Sequence, residues 1–138
     1  MQTSEVQLTP LFQTVPRRRR GEVSQATDRL TVSAGSVLIR QGELAHAFFV
    51  IVAGVASVIR DGRPVRSLGP GDFFGEIGLV GKPYRTATVI ANSDLDVLVM
   101  GRRDFRTILS RFPDVASVVL GAGRMRVVAS LREVEARL

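Results

Sequence analysis

Turn residues at short intervals constrain the fold of this chain more than any other feature of its sequence. From Leu30 onward, short runs rich in β-branched residues alternate with turn-forming residues. The turn positions are Ala34-Gly35, Gln41-Gly42, Gly54, Asp61-Gly62, Gly69-Pro70-Gly71 and Asn92-Ser93. Short strands separated by such turns are typical of antiparallel barrels and rolls. We therefore expect a mainly β fold, an antiparallel, jelly-roll-like β-roll over about residues 30–100.

The Asp61-Gly62 dipeptide is the clearest local signal in this region. It separates Val55–Arg60 from Arg63–Leu68. Two-residue hairpin turns that match strand twist need positive φ values, which Asp-Gly adopts readily, so the sequence predicts a tight hairpin here. The apolar stretch Phe48–Ile59 is too short for a membrane helix and is interrupted at Gly54, which predicts two strands instead.

Helical patterns flank the β region on both sides. A weak pattern covers Pro16–Asp28, with a proline suited to a helix start. Arg102–Arg111 predicts a helix whose apolar face packs on the roll. That face carries Phe105, Ile108, Leu109 and Phe112. Pro113 then interrupts the chain, and Asp114–Leu138 predicts a final helix. We expect one domain over residues 1–138, with a helical N-terminus at 1–29 and C-terminal helices at 101–138.

Composition excludes several classes of function. The chain has 138 residues, 45% of them hydrophobic, which suits one core. It has no cysteine and a single histidine, His46, so neither a disulfide framework nor the imidazole cluster of a cupin-type metalloenzyme can form. The segment Met1–Pro10 lacks the basic and apolar parts of a signal peptide. We expect a non-enzymatic cytoplasmic protein with no metal and no membrane span.

The charge balance favours an anionic partner. The chain carries 19 Lys and Arg against 13 Asp and Glu, a net charge of +6. The densest cluster is Arg17–Arg20, which we interpret as the solvated first turn of a short helix rather than a nucleic-acid or lipid patch. No aromatic residues are interleaved with these arginines to stack on bases.

Phe73–Thr86 combines residues that suit a phosphate ligand. If Gly75-Glu76-Ile77-Gly78 begins a helical turn, its first N–H groups converge on one point and favour negative charge. Gly75 permits close approach of the backbone, and Arg85 offers paired donors to phosphate oxygens. Glu76 would repel phosphate, so its presence predicts a neutral hydroxyl on the same ligand, such as a ribose 2′-OH. The bland alternative is a surface pair between Glu76 and Arg85 that stabilises little.

The order and spacing of these residues resemble the cyclic nucleotide-binding domain family. The resemblance rests on Phe74-Gly75-Glu76 followed by Arg85-Thr86-Ala87, and it extends outward through Arg40-Gln41-Gly42-Glu43 and Phe49–Gly54. It continues to Arg103-Asp104-Phe105 and so covers most of the chain. Gly78 replaces a common alanine and Tyr84 a frequent proline, but neither change removes a phosphate contact.

The resemblance implies a set of site residues. Backbone groups at Gly75, Ile77 and Gly78 would bind the cyclic phosphate together with Arg85 and Thr86, and Glu76 would bind the ribose 2′-OH. The full expected ligand-binding set is Phe74, Gly75, Glu76, Ile77, Gly78, Arg85, Thr86 and Ala87. Candidates for contacts with the base or for a lid are Val65, Arg124 and Met125.

The resemblance also implies a sensor rather than an enzyme. We expect the chain to bind a cyclic nucleotide, cAMP in preference to cGMP, and to relay occupancy through its C-terminal helices to an effector domain, a partner protein or a second copy. One alternative is a degenerate β-roll that binds no nucleotide. Another is the sensor of a DNA-binding regulator, although the roughly 25 residues after Pro113 leave no room for a two-helix reader, so direct nucleic-acid binding is not expected.

Overall fold

The computed structural model describes residues 10–76, 79 and 83–122 of the chain. Eight strands run through its middle: β1 (Asp28–Val32), β2 (Val37–Ile39), β3 (Ala47–Ala53), β4 (Ala56–Arg60), β5 (Arg63–Leu68), β6 (Phe73–Phe74), β7 (Thr88–Ala91) and β8 (Leu95–Gly101). Helices α1 (Arg20–Gln25), α2 (Arg102–Arg111) and α3 (113–122) flank them, with 3₁₀ turns at Pro10–Phe12 and Arg17–Arg19. No helix of the described segments is long and apolar enough to cross a membrane.

The strands form two four-stranded antiparallel sheets, which confirms the β-roll expected from the turn spacing. One sheet has the order β1-β8-β3-β6 and the other the order β2-β7-β4-β5. The hairpin at Asp61-Gly62 lies where it was predicted, joining β4 to β5, and both turn residues have positive φ values of 52° and 78°. The apolar stretch around Gly54 forms β3 and β4, as expected.

Strand β3 has a buried face on each side of its sheet. Phe49 and Ile51 point into the core between the two sheets, while Phe48 and Val50 point to a second core beneath the helices. Alternate residues of a strand face opposite sides, so an uninterrupted apolar run is what a strand covered on both faces requires. The helices therefore pack on the sheet that contains β3. In the described part of the chain they do not cover the other sheet, β2-β7-β4-β5.

The structure confirms a helical segment at each end of the described chain, although the N-terminal one is shorter than predicted and is divided into a 3₁₀ turn and α1. Helix α2 has the predicted bounds, with Phe105 and Ile108 buried against the sheet. Phe112 leaves the helical conformation and Pro113 begins α3, where its fixed φ suits a first turn. Pro16–Asp28 is not one helix, because its last residue already pairs in β1 through Asp28 and Val99. Only the first part of the expected final helix lies within the described residues.

Candidate functional site

The candidate site begins directly after a turn that follows β5. The Asp72 carboxylate accepts a hydrogen bond from the Gly69 N–H at 2.8 Å and closes the Gly69–Asp72 turn. The next residues pair with β3, where Phe74 stacks on Phe49 with ring centroids 4.9 Å apart. These contacts fix the point at which the backbone leaves the sheet at Gly75.

Only glycine fits at position 75. Its φ is +93°, and a Cβ atom built there would lie 2.8 Å from the Ala47 carbonyl oxygen and 3.2 Å from Nη1 of Arg85. A side chain would thus be strained by the backbone and by its neighbours. Gly75 was expected to allow close approach of the backbone to a ligand, and the groups that lie close to it in the structure are the Ala47 carbonyl and the Arg85 side chain.

The Arg85 guanidinium lies buried beside Gly75. Its Nη1 donates to the Gly75 carbonyl at 2.7 Å and its Nη2 to the Ala47 carbonyl at 2.5 Å. Burial lowers the pKa of Arg85 to about 10, the charge of Glu76 acts in the opposite direction, and the charge of Arg102 lowers the pKa further. Arg85 therefore still carries a full positive charge at pH 7.

Glu76 is the other buried charged residue of this region. Glu76 is 1% exposed and Arg85 is 7% exposed. Burying a carboxylate and a guanidinium to this extent costs free energy of folding. Replacing such a pair with apolar residues often leaves the stability of a protein unchanged or raises it. The interpretation of Glu76 and Arg85 as an ordinary surface pair is therefore wrong.

The predicted residues that the structure describes line one cavity between the second sheet and the segment after β6. They are Val65, Phe74, Gly75, Glu76, Arg85, Thr86 and Ala87. Ile77, Gly78, Arg124 and Met125 lie outside the described residues, as does the expected cassette helix at 75–78 beyond its first two positions. Their roles stay predictions.

Five further residues of the cavity wall were not predicted from the sequence. They are Ile39, Val58, Arg60, Arg66 and Val89. Strand alternation starting from Val65 does not find Arg66 or its cross-strand partner Val58, because neighbouring residues of a strand face opposite sides. Arg60 and Arg66 bring two further positive charges to the wall, so the cavity carries three arginines and one glutamate.

Comparisons with known proteins agree with the geometry. A family model described as "Cyclic nucleotide-binding domain" matches residues 29–112. A cAMP-dependent protein kinase regulatory subunit of Aspergillus niger is 32% identical over 108 residues, which cover 77% of this chain and 26% of the relative. A cyclic nucleotide-gated potassium channel of Rhizobium etli is 35% identical over 114 residues, which cover 83% of this chain and 32% of the channel.

A solved structure shows the same architecture. The regulatory domain of Toxoplasma gondii PKA, crystallised with cAMP, superimposes with a TM-score of 0.77 at 26% identity, covering 88% of this chain and 49% of that chain. This chain thus spans about a quarter to a third of the two curated relatives and half of the solved chain. The match to the family model covers every residue that lines the cavity and all of the two sheets except Asp28.

Proposed function

This chain belongs to the cyclic nucleotide-binding domain family, and from that premise we propose that its cavity binds a 3′,5′-cyclic nucleotide, cAMP in the first place. Domains of this family are non-catalytic regulatory modules, and this chain resembles the cAMP-binding ones. The observation that carries the proposal is the pair of buried charges, Glu76 and Arg85, which line one cavity together with Gly75.

Each part of a cyclic nucleotide has a matching group in this cavity. Arg85 carries a positive charge in a dry environment, where charge-assisted hydrogen bonds to phosphate are strong. Glu76 can only accept when ionised, so it suits the ribose 2′-OH and not the phosphate. Val58, Val65 and Val89 offer an apolar wall for a purine ring. Both charges then gain partners on the ligand, which accounts for their burial.

The output of binding is proposed to run through the C-terminal helices. Arg102, the first residue of α2, donates through Nη2 to the Ala45 carbonyl and through its N–H to the His46 carbonyl. The next carbonyl along the chain, that of Ala47, accepts from Arg85. A shift of the Arg85 guanidinium toward phosphate would thus reach α2 through three consecutive residues, and from there an effector protein, an effector domain or a second copy. Arg124 and Met125 remain proposed lid residues.

A guanine nucleotide is the second candidate, favoured by the two arginines on β4 and β5. Guanine presents the acceptors O6 and N7 on one edge, which an arginine can contact with two donors, whereas adenine presents an amino donor in place of O6. Arg60 and Arg66 both line the cavity. A preference for cGMP over cAMP that is lost in Arg60→Ala or Arg66→Ala would assign that arginine to the base.

Calorimetric titration with cAMP and cGMP tests the proposal. We expect binding at micromolar Kd or tighter, about −8 kcal/mol, and a loss of about 10- to 100-fold in Arg85→Ala because a charged hydrogen-bond partner is removed. Arg63→Ala, an exposed arginine of β5 outside the cavity, is the matched control and should bind as the wild type does. A folded, ligand-stripped wild type that binds neither nucleotide would sink the proposal.

The ribose contact has its own test. Glu76→Gln keeps the size of the side chain but removes the charge, so its hydrogen bond to a 2′-OH should weaken and the affinity for cAMP should fall about three- to tenfold. The affinity for 2′-deoxy-cAMP should be the same in wild type and variant. Equal losses for both ligands would show that Glu76 acts on something other than the 2′-OH.

A further inference from the structure

The backbone that carries Arg85 and Thr86 lies outside the two sheets. Strand β6 ends at Phe74 and β7 begins at Thr88, and the described residues between them form a single isolated bridge, Leu44 with Tyr84. The positions of the two ligand-binding side chains therefore depend on individual hydrogen bonds and not on a strand ladder. Backbone geometry at such a point must be fixed by other parts of the molecule.

Two neighbouring segments supply those hydrogen bonds. From the β2–β3 loop, the Gly42 N–H donates to the Arg85 carbonyl at 2.9 Å, and the Arg85 N–H donates back to the Glu43 carbonyl at 2.8 Å. From the end of β4, Nε of Arg60 donates to the Thr86 carbonyl at 3.2 Å. The loop and the hairpin thus hold consecutive residues of the site.

Gln41 joins these two segments to each other. Its side-chain Nε2 donates to Oδ1 of Asp61 at 2.7 Å, and its Oε1 accepts from the Asp61 N–H at 2.9 Å. Its own N–H donates to the Thr88 hydroxyl at 3.0 Å, at the start of β7. The Gln41 side chain and Asp61 therefore form a hydrogen-bonded ring at the hairpin turn. Both the oxygen and the nitrogen of the Gln41 amide take part in it.

We propose that Gln41 and Asp61 form a clamp that positions Arg85 and Thr86 for the ligand. The clamp acts through Gly42 on the Arg85 carbonyl and through Arg60 on the Thr86 carbonyl, and neither Gln41 nor Asp61 lines the cavity. Both are positioning residues. The proposal rests on the proposed nucleotide-binding function, since the benefit of the clamp is a site ordered before the ligand arrives, which lowers the entropy lost on binding.

A charge swap tests the clamp. Gln41→Glu replaces the donating nitrogen with a carboxylate oxygen that faces Oδ1 of Asp61, so the affinity for cAMP should fall about five- to tenfold. Asp61→Asn alone retains an acceptor oxygen and suits the positive φ of 52°, so it should bind as the wild type does. In the double variant the asparagine amide donates to the new carboxylate, and affinity should recover to within about twofold of the wild type.

Two further measurements separate positioning from general stability. Gln41→Ala removes both hydrogen bonds without adding charge, so it should lose affinity and should not be rescued by Asp61→Asn. Thermal unfolding of each ligand-free variant shows that the compared proteins are folded. A Gln41→Glu variant that binds cAMP as tightly as wild type, or a double variant as weak as Gln41→Glu, would overturn the clamp. A wild type that binds no nucleotide would instead overturn the proposed function.

Discussion

Gly75 and Arg85 depend on each other for the shape of the cavity. The Gly75 carbonyl accepts from Arg85 because the backbone at Gly75 turns with a φ of +93°, and the Ala47 carbonyl accepts from the same guanidinium on its other side. The Ala47 carbonyl and the Arg85 guanidinium occupy the space that a Cβ atom at residue 75 would fill. The glycine therefore does two things at once: it adopts the turn, and it leaves room for the arginine.

Gly75→Ala should destabilise the protein and also weaken ligand binding. The left-handed backbone alone costs about 1–2 kcal/mol for a residue with a Cβ. The contact of 2.8 Å with the Ala47 carbonyl adds to this and displaces Arg85. Gly35→Ala is the matched control, because Gly35 has a φ of +88° but open space around it.

Chemical denaturation and titration with cAMP together check this prediction. Gly35→Ala should lose only the backbone contribution and should keep the wild-type affinity for cAMP. Gly75→Ala should unfold at lower denaturant concentration than Gly35→Ala and bind at least about tenfold more weakly. Equal stability of the two variants would mean that the Ala47 contact relaxes without cost.

The two buried charged residues of the site could be predicted from the sequence because of the residues next to them. Glu76 and Arg85 are conspicuous in sequence because a glycine turn precedes one and a hydroxyl residue follows the other. Arg60 and Arg66 were not found, because a strand residue near a hairpin is ordinarily solvent-exposed and only the sheet geometry turns these two toward the cavity. The Gln41–Asp61 contact joins residues 20 positions apart and depends on the path of both loops.

At the scale of elements, β1 is an edge strand held by polar contacts. Its first four residues are exposed, and within the described part of the chain it pairs only with β8. The Thr31 hydroxyl donates to Oδ1 of Asp96 at 2.8 Å and Arg29 donates to Oδ2 at 3.0 Å. The Thr31 hydrogen bond, and then the Arg29 hydrogen bond and charge, hold the pKa of Asp96 below its usual value of 3.8.

Asp96→Asn should therefore lower stability at neutral pH but not in acid. A carboxyl group whose pKa is lower in the folded state stabilises fully above its unfolded pKa, and this stabilisation is lost as pH falls through the folded pKa. The difference in free energy of unfolding between wild type and variant should be present at pH 7 and should disappear as the pH falls below 3.8. Urea unfolding at pH 7, 5 and 3 measures it, and a constant difference would contradict the assignment.

Periodicity explains which elements the sequence predicts well. Three apolar residues of helix α2 and Phe112 directly after it recur at helical spacing in the sequence. The bounds of α2 follow from that pattern together with Pro113. The N-terminal segment carries few apolar residues, and the pairing of Asp28 with Val99 takes its last residue into a sheet. A contact between residues so far apart in the chain outweighs a weak local preference for helix.

At the scale of the whole molecule, the cavity is the one place where the described part of the chain buries both a carboxylate and a guanidinium. Burial lowers the pKa of Arg85 toward 10, so folding at neutral pH places a cation where it is less well solvated than in the unfolded chain. An anionic ligand would bring a second negative charge to Arg85, beside that of Glu76. Ligand binding and the stability of the fold should therefore be linked through this residue.

Cyclic nucleotide should raise the thermal stability of the wild type, and at the same ligand concentration it should raise that of Arg85→Ala by about half as much or less. A ligand at 100 times its Kd that binds only the folded state adds about 2.7 kcal/mol, which for a chain of this length raises Tm by roughly 10 °C. The ligand-free Arg85→Ala variant should be less stable than the ligand-free wild type, because it leaves the Glu76 carboxylate buried without the Arg85 charge and removes the hydrogen bonds to the Gly75 and Ala47 carbonyls. Differential scanning calorimetry with and without cAMP checks both statements. A Tm rise of similar size in Arg85→Ala would place the ligand elsewhere and separate stability from the buried arginine.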